Sequence, residues 1–457
     1  MNQKPGDHLP SEQGAHVYRR IAISWLLVSA CLAQDSVSRM EQVVQSYVDN
    51  KQFMGSAVVA RDGKVLLSKG YGYANLEWDV ANSPASKFRL GSITKQFTAA
   101  CILLLEERGK LKVDDPVKKY MADAPAAWDK VTIFNLLTHT SGIPSFTGFP
   151  DYASTEAIAT TPEKLVARFR DKPLEFQPGE KWNYSNSGYV LLGYLIEKIS
   201  QQSYSEFVQE NIFNPLGMKD SGYDSNSAII LHRASGYTPG AKGPIHAGYI
   251  DMTIPFSAGA LYSTTEDLLR WEQGLMGGKL LSAASLQKMT TPFKNDYAFG
   301  LAVHAVNGHK VMEHGGGIEG FNTEIAYYPE DKLTVVVLAN LNGQVEAIAN
   351  AVAQVAHGEK VVLPSERKEI TVSPTILGAY VGTYQLTPDF AIVMTLEGGQ
   401  LMTQATGQSK LPLFAESETK FFLKVVEAEV EFFKNEKGEV THLILHQGGQ
   451  DQKGIKK

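Results

Sequence analysis

Ser92 and Lys95 stand three residues apart, just after Gly91 and at the start of a long apolar segment. In a helix that begins here, this spacing puts the ammonium group one turn along the same face as the hydroxyl. A lysine held away from water loses its proton more readily and can act as a base toward the serine. The pair alone is better explained by a helix-capping serine and a solvated lysine. The same spacing recurs at Ser285 with Lys288, Ser365 with Lys368, and Ser417 with Lys420.

Tyr184 and Asn186 form a second group, directly before another predicted helix. A phenol in this place can relay a proton between nucleophile, lysine and leaving group, while an amide can hold the lysine and a substrate carbonyl. Tyr73 and Asn75 repeat the pattern, so this group is also weak by itself.

His314, Gly316 and Gly317 form a third group, at the end of a predicted strand. Glycines allow a substrate backbone to approach a strand edge. The N–H of Gly317 can then join that of Ser92 as an oxyanion hole. Similar His-x-Gly patterns occur at His246 with Gly248 and at His446 with Gly448.

Other chemistries find little support in the sequence. The chain contains no Gly-x-Ser-x-Gly elbow, His-Glu-x-x-His metal helix or Walker A loop. The spacing of His309, Glu313 and His314 fits no zinc motif, so no metal is expected. The run Gly315–Gly320 matches a dinucleotide fingerprint in letters, but it leads into a strand-like segment rather than a helix. We therefore expect no cofactor.

The element that positions Ser92 is a helix that begins after Gly91 and stops at Gly109. Its apolar residues lie nearly all round, which is typical of a central, buried helix. Alternating runs predict a hairpin at 55–60 and 65–72, and three later strands at 310–312, 323–328 and 333–339. A helix after residue 345 ends near Gly358. The stretch from about 90 to 300 has helical periods and loops, which predicts an antiparallel sheet flanked by helices with a large helical insertion, an α+β fold.

A second domain is predicted at the carboxyl end. Residues 359–374 have a linker composition, which bounds a first domain at 34–358. Residues 375–457 contain short apolar runs with glycines between them, a pattern typical of a small β-barrel or sandwich.

Residues 1–33 are predicted to be a signal peptide, because a thirteen-residue apolar run follows two arginines and is too short to span a bilayer. Cleavage after Ala33 and lipidation at Cys31 remain alternatives. Both place the mature protein outside the cytoplasm, periplasmic or secreted. The 43 basic and 49 acidic residues give a net charge of −6, so nucleic acid is not an expected partner.

The three groups, in this order and each beside the element it needs, resemble the serine β-lactamase and penicillin-binding protein superfamily. The similarity is to its class C-like branch, with family VIII carboxylesterases, D-aminopeptidases and D-alanyl-D-alanine carboxypeptidases. It covers roughly residues 38 to 357, and the tail from about Thr375 is similar to the lipocalin-like domain of some members. Longer strings that carry the resemblance are FRLGSITK at 88–95, LLTHTSGIP at 136–144 and WNYSNSGYVLLG at 182–193.

The resemblance implies a role for each matching residue. Ser92 is the acylated nucleophile, Lys95 and Tyr184 are the base and acid pair, and Asn186 is a ligand of lysine and substrate. Gly317 joins Ser92 as an oxyanion donor.

The third motif departs from the family pattern, because β-lactamases carry Lys-Thr-Gly where this chain has His314, Gly315 and Gly316. A histidine with a reference pKa of ~6.5 is mostly neutral at pH 7, so turnover of carboxylate-bearing substrates is expected to rise below that pH. The leading expectation is a carboxylesterase acting on small esters, with at most weak β-lactam hydrolysis. The alternatives are a D-stereospecific peptidase or carboxypeptidase, a class C-type β-lactamase, and a penicillin-binding sensor without turnover. The substrate is a small ester, amide or β-lactam.

Overall fold

The computed structural model describes residues 35–363, 366–424, 428–447 and 450–457. The predicted signal peptide, with Cys31, lies outside these residues. Within them, no helix has both the length and the apolar character needed to cross a bilayer.

A six-stranded antiparallel sheet forms the centre of the first domain. It contains two strands from the beginning of the domain and four from its end. The order of the strands is β10-β11-β12-β13-β1-β2. The predicted hairpin and the three later strands all belong to this sheet. The bounds are Gly55–Arg61 for β1, Lys64–Tyr71 for β2, Ala302–Val306 for β10, His309–Ile318 for β11, Phe321–Tyr328 for β12 and Leu333–Ala339 for β13.

The two faces of this sheet are covered by different helices. Val58 and Val336 are paired in register and pack against the helical insertion, whereas Val59 and Val335 pack against α1 (35–49) and α12 (Val345–His357). Side chains alternate between the faces of a strand, so a strand buried on both faces reads as a continuous apolar run. All seven residues of β13 are buried.

The helical insertion lies between β2 and β10. Its helices are α2 Thr94–Glu107, α3 Ile133–Leu137, α4 Tyr152–Thr155, α5 Pro162–Arg170, α6 Asn186–Ser200, α7 Tyr204–Val208, α8 Asn214–Leu216, α9 Phe256–Gly259, α10 Thr265–Met276 and α11 Ala283–Thr290. Single 3₁₀ turns lie at Gly91–Ile93, Val117–Lys119, Ala126–Trp128 and Phe146–Gly148, and a π-helical turn at Gln209–Phe213. Its short strands are β3 Tyr73–Asn75, β4 Val80–Ala81, β5 Phe88–Arg89, β6 Gly222–Tyr223, β7 Tyr237–Gly240, β8 Gly243–His246 and β9 Leu261–Ser263.

Helix α2 is the core of the insertion, as its apolar surface predicts. Every residue from Thr94 to Leu105 is buried. The Phe97 ring stacks on Trp271 at a centroid distance of 4.0 Å, and the Trp271 indole N–H donates to Gln96 Oε1 at 2.9 Å. The helix is therefore held rigidly from all sides, which fixes the residues at its first turn.

A buried carboxylate beside α2 is fully paired. Asp224 has no exposed surface. It accepts from Arg89 Nε and Arg233 Nη1, both at 2.7 Å. The two arginines neutralise the charge and satisfy both carboxylate oxygens, which is the condition under which a buried charge is tolerated.

The carboxyl-terminal region forms a nine-stranded antiparallel sheet in the order β17-β16-β15-β14-β22-β21-β20-β19-β18, preceded by α13 (Pro374–Tyr380). The end strands β17 and β18 are adjacent in the chain, so the sheet is a nearly closed barrel. The Tyr380 ring stacks on Phe432 at 4.0 Å in its core. The strands are β14 Gly382–Thr387, β15 Phe390–Glu397, β16 Gln400–Ala405, β17 Leu411–Pro412, β18 Phe414–Ala415, β19 Lys420–Phe422, β20 Ala428–Lys434, β21 Val440–Gln447 and β22 Gln450–Lys456.

The predicted fold class is confirmed, with its flanked antiparallel sheet, helical insertion and terminal barrel. The prediction missed β10, and it ended β11 before the glycines. Gly315, Gly316 and Gly317 are in fact strand residues paired with Glu324, Thr323 and Asn322. A neighbouring strand supplies the order that glycine residues lack on their own.

Candidate active site

Ser92 lies in the 3₁₀ turn Gly91–Ile93 that leads into α2. Gly91 has a φ of +54°, and a Cβ at this position would lie 2.9 Å from the backbone nitrogen of Gly317. Only glycine allows both the conformation and the close approach. This glycine therefore brings the serine to the edge of β11.

Lys95 is fully buried one turn after the serine. Its Nζ lies 2.9 Å from each of three oxygens: Ser92 Oγ, Asn186 Oδ1 and the Ala258 carbonyl oxygen. Burial lowers the pKa of Lys95 well below its usual value. A neutral amine matches these partners, since two N–H groups donate to the carbonyl oxygens and the lone pair accepts from the serine hydroxyl. The lysine is arranged as a base for Ser92.

Tyr184 lies on the other side of the serine. Its ring centroid lies 4.9 Å from Lys95 Nζ. Burial raises the pKa of the Tyr184 phenol, and the nearby Ser92 side chain only partly opposes this. The phenol therefore keeps its proton at neutral pH and is suited to donate it.

Asn186 is the first residue of α6, and Ser185 caps that helix. Its side-chain amide bridges two sides of the site, because Oδ1 accepts from Lys95 while Nδ2 donates to Thr147 Oγ1 at 3.1 Å. The backbone N–H of Asn186 donates to Ser145 Oγ, also at 3.1 Å. The asparagine is thus held from three directions.

His139 is a residue to which the sequence assigned no role. Its Nδ1 accepts from the backbone N–H of Ser185 at 3.1 Å, and its ring lies 4.2 Å from the Tyr184 ring. The residue is buried with a φ of +56°, and burial lowers its pKa. A neutral imidazole thus fixes the backbone that carries Tyr184. The only sequence signal is its place in the LLTHTSGIP string.

His314 lies behind Tyr184, with the two ring centroids 6.3 Å apart. Its Nδ1 is 2.6 Å from the carbonyl oxygen of Gly315, and its Nε2 is 2.9 Å from the Tyr297 hydroxyl. Nδ1 therefore carries the proton, and Nε2 accepts from the tyrosine. Burial and the nearby Lys95 lower the pKa of His314 to about 4. The sequence analysis expected carboxylate-bearing substrates to be favoured below pH ~6.5, and this pH is therefore too high.

The glycines of β11 complete the site. A Cβ at Gly316 would lie 2.0 Å from the carbonyl oxygen of Leu90, so a side chain there would push the Ser92 turn away. The neighbouring strand β10 pairs with β11 only as far as Glu313, which leaves the edge at Gly317 without a strand partner on that side. A substrate carbonyl can approach this edge.

A cavity of about 220 Å³ lies over these groups. Ser92, Asn186 and Gly317 line it, together with apolar atoms of Phe146 and Ile250. Lys95, Tyr184, His314 and Gly316 are not among the residues that line it. The volume suits a small acyl group.

The side chains of His309, Glu313 and His314, whose spacing fits no zinc motif, do not come together in the structure. Glu313 contacts His304, whereas His314 contacts Tyr297. Among the described residues one group of potential ligands does come together, His309, Asp331 and His357, at the opposite end of β11. Its two imidazoles stack at 3.7 Å with their planes 6° apart, so their in-plane lone pairs do not converge on a common ion.

Comparison with known proteins agrees with this geometry. The Beta-lactamase family model matches residues 40–359, and a domain of unknown function, DUF3471, matches residues 366–456. Penicillin-binding protein 4* of Bacillus subtilis is 30% identical over 93% of this chain and all of that protein.

Two solved structures are similar along the chain. The octameric penicillin-binding protein homologue from Pyrococcus abyssi has 28% identity and a TM-score of 0.65 over 92% of this chain and all of its own. A D-stereospecific amidohydrolase from Streptomyces has 27% identity and a TM-score of 0.59 over 69% of this chain and 97% of its own. Because the family model covers most of the chain, the protein belongs to the beta-lactamase family of serine hydrolases, and penicillin-binding protein 4* of Bacillus subtilis is one of its relatives.

Proposed function

We propose that the protein hydrolyses small carboxylic esters through an acyl-enzyme on Ser92. The observation that carries the proposal is the buried Lys95, whose amine meets the serine hydroxyl and two carbonyl oxygens at 2.9 Å. An amine with a lowered pKa in this geometry activates a serine without a histidine.

In the acylation step, Lys95 Nζ accepts the proton of the Ser92 hydroxyl as Oγ forms a bond to the substrate carbonyl carbon. The carbonyl oxygen gains the negative charge, and the N–H groups of Ser92 and Gly317 donate to it. The bond to the leaving alkoxide then breaks. The Tyr184 phenol donates a proton to the leaving oxygen and regains one from Lys95, which restores the neutral amine.

Deacylation reverses these roles. A water molecule gives its proton to the Lys95 and Tyr184 pair as its oxygen attacks the acyl carbon, and Ser92 leaves with that proton. Both half-reactions move a proton through the same two groups, Lys95 and Tyr184. The pair is therefore expected to act as one catalytic unit.

The preference for neutral esters is supported by His314. Its lowered pKa keeps the imidazole uncharged at neutral pH. It then offers a substrate carboxylate at most one neutral hydrogen bond, whereas a lysine offers a charged one. Carboxylate-bearing β-lactams and peptides thus gain less binding energy here.

A second candidate function is hydrolysis of amides or peptides that contain a D-residue. Similarity to the Streptomyces D-stereospecific amidohydrolase favours it. The same acyl-enzyme chemistry applies, with an amine as the leaving group.

The test is a parallel panel of p-nitrophenyl esters, a chromogenic cephalosporin and D-Ala-p-nitroanilide. Steady ester turnover supports the proposal, and faster turnover of the anilide replaces it with the second candidate. A burst of cephalosporin acylation without turnover of any substrate would identify a penicillin-binding sensor and overturn both.

Covalent labelling identifies the nucleophile independently of the substrate. A fluorophosphonate probe should add one adduct to the peptide with Ser92, seen by mass spectrometry, and Ser92→Ala should abolish it. Ser285→Ala is the matched control, because Ser285 and Lys288 repeat the spacing in α11. An adduct retained in Ser92→Ala would contradict the proposal.

We also propose that the mature protein lies outside the cytoplasm. The basic pair and apolar run before Ala33 support this. The mass of the amino-terminal peptide from the native host distinguishes cleavage after Ala33 from a lipid on Cys31. An intact amino terminus in a cytoplasmic fraction would contradict the proposal.

A further inference from the structure

A second cavity, of about 780 Å³, lies on the other side of β11. Its walls are β11, β12 and the first turns of α12 on one side, and strands β19 to β22 of the barrel on the other. It shares Gly317 with the smaller cavity at Ser92. The two cavities thus meet at the strand whose edge is proposed to bind the reacting carbonyl.

The segment of β11 between the two cavities, Gly315–Gly317, has no side chains that could separate them. Gly315 and Gly317 are exposed, and both line the larger cavity. A Cβ at Gly315 would lie 2.8 Å from Glu324 Oε2, so any other residue would cover that carboxyl group. The glycine run therefore serves the larger cavity as well as the approach of the Ser92 turn.

The wall formed by the first domain carries carboxyl groups. Glu324 lines the cavity, is only 5% exposed and lies opposite Gly315 in β12. Glu346 reaches the same cavity from α12. Next to them is Glu313, whose Oε1 contacts His304 Nε2 at 2.8 Å while its buried Oε2 has no hydrogen-bond partner among the described residues.

Glu313 pairs with His304, whereas neither Glu324 nor Glu346 forms an ion pair in the described part of the chain. Burial, together with the charges of Glu313 and Glu346, raises the pKa of Glu324 well above its usual range, and the backbone N–H of Ile325 only partly opposes this. Within the described ranges no lysine, arginine or histidine forms an ion pair with Glu324. A positive group that entered the cavity would relieve this repulsion.

On the barrel wall, the carboxylate of Glu429 is already paired with two cations. Glu429 pairs with Arg367 and with Lys420, the latter at 3.3 Å. Asp451 Oδ1 lies 2.6 Å from His446 Nδ1. The attraction for a cation is therefore directed at the Glu324 side of the cavity.

We propose that the larger cavity binds the primary ammonium group of an aliphatic substrate, with the carboxylates of Glu324 and Glu346 as acceptors, while the reacting carbonyl lies at Ser92. The volume favours an organic cation over a metal ion, since one water molecule occupies only ~30 Å³. This assignment rests on the proposed hydrolase function and names a substrate class for it.

Paired substrates test the assignment. One series carries an ammonium at the end of an alkyl chain of four to twelve atoms in the acyl part, and another carries it in the alcohol part. Each is compared with its methyl-ended analogue in a pH-stat assay. We expect kcat/KM to favour the ammonium form by about tenfold or more at one chain length in one series, because a charged hydrogen bond is gained. Equal values in both series at every length would overturn the assignment.

Charge-removing variants locate the acceptors. In Glu324→Gln and in Glu346→Gln, the ratio of kcat/KM for the ammonium and methyl forms should fall toward one. Glu330→Gln, in the exposed turn after β12, is the matched control and should keep the wild-type ratio. A preference that survives both cavity variants would place the ammonium elsewhere.

A binding measurement separates this inference from the proposed function. 1,6-Diaminohexane should bind Ser92→Ala in isothermal titration calorimetry, and Glu324→Gln in that background should weaken it at least tenfold. Diamine binding that depends on Glu324, without turnover of any ester, would keep the cation site and reject the hydrolase. Ester turnover with no diamine binding would reject the cation site and keep the hydrolase. Glu346→Gln, at the surface of α12, provides the second test if Glu324→Gln does not fold.

Discussion

Lys95 and Asp224 are both ionisable residues without exposed surface in the same helical insertion, yet their surroundings differ. Asp224 is held by two arginines, one on each oxygen. Lys95 meets only oxygens without formal charge, from a serine, an amide and a peptide group. The carboxylate is stabilised as an ion, whereas the lysine is stabilised as a neutral amine.

The difference separates a structural charge from a reactive one. A buried ion that is paired keeps its charge and ties elements together, as Asp224 ties β5 to the segment after β6. A buried amine without a counter-ion has a lowered pKa, which is the property that a general base needs. The variants below are designed to break or sharpen this contrast.

The largest effect is expected on kcat, in variants of Lys95 and Tyr184. Lys95→Ala and Tyr184→Phe should each lower kcat for esters by ~10² to 10⁴, because each removes a group that moves the reacting proton. The double variant should be little worse than the poorer single one, since the two act as a unit. Lys288→Ala, which removes a surface lysine paired with Glu106, is the control. Additive losses would indicate separate roles.

Loss of the paired carboxylate of Asp224 should lower the stability of the protein. Asp224→Asn leaves Arg89 and Arg233 without their counter-ion, and we expect the free energy of unfolding in urea to fall by about 3 to 5 kcal/mol. Asp129→Asn removes one partner of an exposed pair with Lys118 and should change it by less than about 1 kcal/mol. An equal effect of the two variants would show that burial of the pair is unimportant.

A lysine in place of His314 adds a cation near Lys95. His314→Lys should improve kcat/KM for a cephalosporin relative to an ester by about 1 to 2 kcal/mol if the ammonium reaches the substrate carboxylate. In the wild type this ratio should change little between pH 8 and 6.5, because burial lowers the pKa of the imidazole to about 4. A wild-type ratio that rises between pH 8 and 6.5 would show a charged imidazole, contrary to its burial.

The smallest change is predicted to have the opposite sign from Asp224→Asn. Lys95→Met should abolish turnover yet raise the free energy of unfolding at pH 7 by about 0.5 to 2 kcal/mol. Burial lowers the pKa of Lys95 in the folded protein, so the unfolded chain binds more protons at this lysine and folding becomes less favourable as pH falls from ~10.4 toward the lowered pKa. The gain should therefore shrink as pH rises to 10. A less stable Lys95→Met would show that the lost hydrogen bonds outweigh the deprotonation cost.

The part of this site that is local in the sequence could be predicted. Ser92 and Lys95 are neighbours on one helical turn, and the apolar surface of α2 predicts their burial. The Ala258 carbonyl that holds Lys95 is a backbone atom from a distant segment, so no residue type announces it. The contact of His139 with Ser185 also depends on how two loops pack.

The same distinction holds for the sheet and the larger cavity. Strands with alternating or continuous apolar residues, such as β1 and β13, were predictable from their own composition. The Gly315–Gly317 segment is extended because β12 pairs with it, and a glycine run alone indicates a break. Glu324 looks like an ordinary strand glutamate until the barrel is placed against it.

The pairing of β1 with β13 dictates when this protein becomes reactive during its synthesis. Ser92 and Lys95 leave the ribosome early, but β11, which is proposed to supply an oxyanion donor, and β13 follow more than two hundred residues later. Long-range strand pairing of this kind is slow and requires both partners. A nascent chain that ends before Ala339 therefore carries Ser92 and Lys95 without the strands that hold Gly317 beside them. On the proposed mechanism, acylation of Ser92 requires the part of the domain that is made last.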